Sequence, residues 1–178
     1  MRSLKAQSLI VVFALALLSA VSVHAQQKPM ASPPGSTEIT VDGKKITINY
    51  HRPSMKGRKV FGGLVPYGKV WRTGANNATL LKTEADLMFG KVVIPAGSYT
   101  LWTLPTEQGW KLIINKQTGQ WGTQYNEGQD LARVDMKVAK LNATVEQFTM
   151  SLAATKNGGI LKLEWETTTA SATFKVKK

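Results

Sequence analysis

The chain has 178 residues, 23 lysines and arginines against 11 acidic residues, a formal charge of +12, and no cysteine. That length suits one domain with a sizeable core, and the missing cysteines exclude both a disulfide framework and a thiolate metal site. The positive excess points either to anionic partners or to a basic surface that only keeps the protein soluble.

Residues 1–25 read as a cleavable signal peptide. Arg2 and Lys5 give a positive start, Leu9 to Leu18 is apolar, and Val23-His24-Ala25 supplies small residues around the cleavage position. The apolar run falls short of the roughly 20 residues a spanning helix needs. Removing Arg2 and Lys5 takes two of the twelve charges and leaves +10 on the mature chain. With no cysteine to acylate, the expected product has no stable membrane anchor and is periplasmic or secreted. For such a protein envelope polyanions rank above nucleic acid, which is not an expected partner.

Residues 26–36, QQKPMASPPGS, form a predicted disordered leader with little to bury. Residues 37–178 form one predicted all-β domain. Thr37 to Asp42 and Lys45 to Tyr50 alternate apolar and polar residues around Asp42-Gly43, a hairpin pattern. A long irregular stretch from His51 to Leu81 follows. Strands resume at Ala78 to Thr83, at Leu87 to Ile94 with a break at Gly90, at Ser98 to Leu104 and at Trp110 to Asn115. A second polar loop runs from Lys116 to Asp130. Alternation then returns around Val134 to Val138, Phe148 to Leu152, Leu161 to Glu166 and Ala172 to Val176, with Asn157-Gly158 read as a type I′ turn. About ten short strands with one apolar face each imply an antiparallel β-sandwich, with a jelly roll or barrel as alternatives.

The irregular stretch holds no acidic residue, so by itself it offers neither a carboxylate pair nor a hard-metal cage. Its chemistry is that of donors. Arg52, Arg58, Arg72, Asn76 and Asn77 suit a carboxylate, phosphate, sulfate or sugar hydroxyl, while Trp71 and Trp121, each in a loop, are candidate stacking platforms. These seven are the candidate ligand-binding residues. The competing reading is that the arginines and amides satisfy buried backbone groups and the tryptophans are packed. His51, the one histidine after the signal, is read as structural or solvent-facing. No metal site and no cofactor motif is present in the sequence.

The run RP-x-x-KGR-x-x-FGGLVPYGKVWRTGAN-x-AT from Arg52 to Thr79, with PAG-x-Y-x-L from Pro95, NK-x-x-GQWG from Asn115 and LEWE from Leu163, resembles the exported bacterial proteins grouped as domain of unknown function 2911. The resemblance implies an exported all-β domain; it brings no activity and no catalytic residue. The leading expectation is a non-enzymatic binding or envelope-associated module for an anionic or glycan-like ligand. One alternative is a hydrolase or lyase acting on glycans, in which Arg72 and Asn76 stabilise negative charge and Asp130, Glu84 or Glu164 acts as base. The other is a purely structural domain.

Overall fold

A computed structural model describes residues 31–177 and is all-β. The signal peptide and residues 26–30 of the leader lie outside the described residues. Nine strands form in chain order: β1 (Pro34–Val41), β2 (Lys44–His51), β3 (Thr79–Thr83), β4 (Leu87–Phe89), β5 (Val92–Ile94), β6 (Gly97–Pro105), β7 (Trp110–Asn115), β8 (Asp130–Thr155) and β9 (Gly158–Val176). They make one antiparallel sheet in the order β1-β2-β3-β6-β7-β8-β9-β4-β5.

Two of these strands are far longer than expected. The alternating segments around Val134 and Phe148 are parts of the single 26-residue β8, and those around Leu161 and Ala172 are parts of the 19-residue β9. β8 pairs with β7 over its first residues and with β9 over the rest, with register shifts between Lys140, Val145 and Thr149. Opposite Val145, Glu166 takes a φ of 54°, an uncommon conformation for a non-glycine residue. Bulges of this kind bend a strand. The sheet folds over along β8, so that β2, β3, β6 and β7 share one buried core with β4, β8 and β9.

The free edge is stitched to β8 by side chains. Tyr50 donates its hydroxyl to Met150 O at 3.2 Å and accepts from Met150 N at 2.9 Å, while Leu152 N donates to Thr37 Oγ1 at 3.0 Å. The result is two facing layers made from one continuous sheet.

Both hairpin signals produce hairpins, but by different means. Asp42 and Gly43 have φ of 49° and 74°, as a type I′ turn requires. At the other, Thr155 pairs directly with Gly158, so Lys156 and Asn157 form the turn, and neither has positive φ. The type I′ assignment to Asn157-Gly158 is therefore corrected. Glycine is needed at 158 for space, because a Cβ there would collide with the Phe174 carbonyl. β1 also starts earlier than expected, with Pro34, Gly35 and Ser36 paired to His51, Tyr50 and Asn49.

Candidate ligand-binding site

The long segment between β2 and β3 divides into two parts. Its first part is driven into the open end of the fold: Val60, Phe61 and Val65 are buried in the main core. Trp71 stacks on Trp165 with centroids 5.7 Å apart at 21°, and meets Phe148 edge-on at 5.0 Å. These contacts commit the ring to packing.

The guanidinium groups here hold backbone. Arg52 Nε donates to Phe148 O at 3.2 Å and Nη2 to Thr149 Oγ1 at 2.9 Å; Arg58 donates to Met55 O and Ser54 O, both at 2.9 Å. Three of the seven candidates, Arg52, Arg58 and Trp71, therefore have structural duties in this fold.

The second part behaves differently. Beyond Trp71, whose backbone exchanges hydrogen bonds with Thr103 at 2.7 and 2.9 Å, the chain turns sharply over the outer face of the sheet. Thr73 and Asn76 both take positive φ, 51° and 56°, costly for the β-branched threonine. What over-determines Thr73 is its full burial, with Oγ1 placed 3.2 Å from Thr103 Oγ1 and its carbonyl accepting from Thr79 Oγ1 at 2.7 Å.

Here the segment meets the second loop. Gly122 N donates to Asn76 O at 2.8 Å and Ala78 N to Gln120 O at 3.2 Å. A Cβ on Gly122 would lie 2.5 Å from Arg72 Cδ and 2.6 Å from Asn76 O, so only glycine lets the two loops touch. Asn76 also donates from Nδ2 to Ser32 O at 3.3 Å. Asn77 and Trp121 face outward, Trp121 with 47% of its surface exposed.

The second loop is fastened by a polar clamp. Asn115, fully buried, donates to Asn126 O and to Asp130 Oδ1, both at 2.8 Å. Tyr125 donates to Asp130 Oδ2 at 2.6 Å, and Arg133 donates to Asp130, Tyr125 and Glu127. Burial, then the hydrogen bond to Asp130, pushes the Tyr125 hydroxyl up to about 12. The Tyr125 ring packs 4.9 Å from Trp102, closing a small second core with Ala78 and Ile113 on the outer face.

Where that cover stops, a cavity of about 470 Å³ remains. It lies over the outer positions of β2, β3 and β6, among them Asn49, His51, Leu80 and Thr100, and is bordered by Pro34 to Ser36, Asn77, Gly119 and Gln120. Its size falls within the range of small-molecule sites. In the wall, Thr100 Oγ1 accepts from Trp102 Nε1 at 3.0 Å and Gln120 Nε2 at 3.2 Å, and donates to Gln117 O at 2.9 Å. The Oε1 atoms of Gln117 and Gln120 are buried and accept no hydrogen bond from the described residues.

Among the described residues the lining holds amides, hydroxyls, an imidazole and apolar surface, and no lysine, arginine, aspartate or glutamate. The three acids named as candidate bases are elsewhere. Asp130 is held in the clamp, Glu84 accepts from Lys45 N at 2.8 Å, and Glu164 sits 3.9 Å from Lys162 Nζ. Among the described residues no group of three or more His, Asp or Glu stands close enough to hold a metal ion.

Of the seven candidates, only Asn77 lines the cavity, with Asn76, Arg72 and Trp121 in the adjoining seam. Asn49, His51, Thr100 and Gln120 were not among them. In sequence they read as ordinary strand and loop residues. The family model described as Protein of unknown function (DUF2911) matches residues 32–174, and the chain belongs to that family. No curated protein and no solved structure matches it.

Proposed function

We propose that this DUF2911 protein is an exported, non-catalytic binding domain whose outer-face cavity takes a neutral, hydroxyl-rich ligand of the sugar class. The observation that carries this reading is the lining: among the described residues it holds side-chain amides, hydroxyls and an imidazole beside apolar surface, and no Lys, Arg, Asp or Glu. A sugar presents hydroxyls that donate and accept along its edges and apolar C–H faces. Asn49, Asn77 and His51 answer the first, and Leu80, Ala78 and Pro34 the second. An anionic ligand finds less support, since the guanidinium groups of Arg52 and Arg58 are engaged with backbone or hydroxyl oxygens and neither lines the cavity. Carboxylate-driven hydrolysis finds less support too, because the described residues of the lining include no Asp or Glu.

Titration calorimetry with neutral envelope oligosaccharides and their acidic counterparts tests it. Binding of a neutral sugar, weakened about tenfold by Asn49→Ala or Asn77→Ala through loss of a hydrogen bond, supports the reading. Binding of acidic ligands alone, or affinity indifferent to both substitutions, contradicts it.

A further inference from the structure

Away from the cavity, the turn that plugs the fold presents a second surface. Residues Val60, Phe61 and Val65 face inward, yet Leu64 and Tyr67 between and beside them leave 42% and 39% of their surface exposed. The turn is laced by backbone hydrogen bonds: Gly62 N donates to Val65 O at 2.9 Å, Leu64 N to Lys59 O at 3.0 Å and Val65 N to Val60 O at 2.8 Å. Its outward side is basic, with Lys56, Arg58, Lys59 and Lys69 all exposed. Apolar and basic groups are interleaved there. A Cβ on Gly62 would lie 3.0 Å from the Tyr67 ring and 3.6 Å from Lys59 Nζ.

The patch continues onto β8, where Val138, 39% exposed, and Lys140 share a recess with Tyr67. The segment 51–81 has no acid of its own. Of the acids packed against it, Glu146 and Glu166 accept the backbone N–H groups of Lys56 and Val60 at 2.9 and 3.3 Å, and Glu107 lies in the recess with Tyr67.

We propose that this turn, residues 56–69, docks the protein onto an anionic lipid surface. Lys56, Lys59 and Lys69 sit over the headgroups, while Leu64 and Tyr67 enter the interface. Charge complementarity selects an anionic partner, and an exposed leucine and tyrosine set among lysines favour a lipid interface over a wholly hydrated polyanion. The surface is separate from the cavity and does not depend on a sugar being its ligand.

Vesicle co-sedimentation of the protein as purified from its host tests this, since every variant then shares one N terminus. Phosphatidylglycerol-containing vesicles should retain the protein and pure phosphatidylcholine vesicles should not. Each basic residue near an anionic surface changes partitioning about fivefold, so the charge-reversed K56E/K59E/K69E variant should lose more than about 100-fold. L64S/Y67S should lose about tenfold, and Asn77→Ala should match the parent. Equal retention on both vesicles, or retention indifferent to the charge reversal, overturns the proposal. So does an L64S/Y67S variant that binds as well as the parent while a soluble anionic polysaccharide displaces both, because the partner is then a polyanion and not a lipid.

Discussion

The two long loops of this protein each carry glycines and a tryptophan and are opposite in use. The segment between β2 and β3 sends Val60, Phe61, Val65 and Trp71 into the main core, whereas the segment between β7 and β8 lies on the outer face and is held by Asn115, Tyr125, Asp130 and Arg133. Their tryptophans show the contrast most plainly: Trp71 is stacked on Trp165, and Trp121 is nearly half exposed. A loop dense in glycine, arginine and tryptophan is thus no sign of a site by itself. The cavity forms where the two loops touch, over strand residues that neither loop supplies.

The largest effect should come from the core-driven loop. Phe61→Ala removes a ring in contact with Trp71, Trp110 and Trp165, and should cost about 3–5 kcal/mol in chemical denaturation, as for other buried aromatics. A loss under about 1 kcal/mol would mean that the plug does not contribute to the fold. Next, Asn115→Ala strips the clamp of a fully buried amide and leaves oxygens of Asn126 and Asp130 without that donor. Its expected cost is about 1–3 kcal/mol.

Gly122→Ala acts on the seam between the loops. The added methyl meets Arg72 and the Asn76 carbonyl, so about 1–3 kcal/mol of destabilisation and loss of any cavity ligand are expected together. Stability lost with ligand affinity intact would separate the seam from the cavity. At the small end, Trp121→Ala should stay within about 0.5 kcal/mol of the parent.

The clamp also predicts a pH signature. The Tyr125 hydroxyl rises from about 10 in an unfolded chain to about 12 in the native protein, so its neutral form is favoured by folding. Its contribution is full below about pH 10 and is lost as the pH rises toward about 12. Denaturation midpoints should fall across that window, and Tyr125→Phe should flatten the fall. An unchanged slope would remove Tyr125 as its cause.

Much of the fold was legible. Period-two alternation located most of the strands, and Asp42-Gly43 located the first hairpin, because half-buried antiparallel strands write their two faces into the chain. The lengths of β8 and β9 were not legible, since the bulges near Val145 and Glu166 break the alternation that would have joined their parts. The candidate site was legible only at its edge. Asn77 stood out within an unusual run, but Asn49, Thr100 and Gln120 look like ordinary strand and loop residues until the register aligns Asn49 with Leu80 and Leu80 with Thr100. The duties of Arg52 and Arg58 were not legible for the reverse reason, since a guanidinium that bonds backbone carbonyls reads the same in sequence as one that awaits a ligand.

The central claim is that the cavity, and not the arginine-rich loop, receives the ligand. Amide chemical shifts followed during titration with a neutral oligosaccharide test it most directly. The prediction is that shifts cluster at Asn49, His51, Leu80, Thr100 and Gln120 and leave Arg52, Arg58 and Trp71 unmoved. Shifts confined to the 52–71 segment, or none anywhere across the panel, would contradict it.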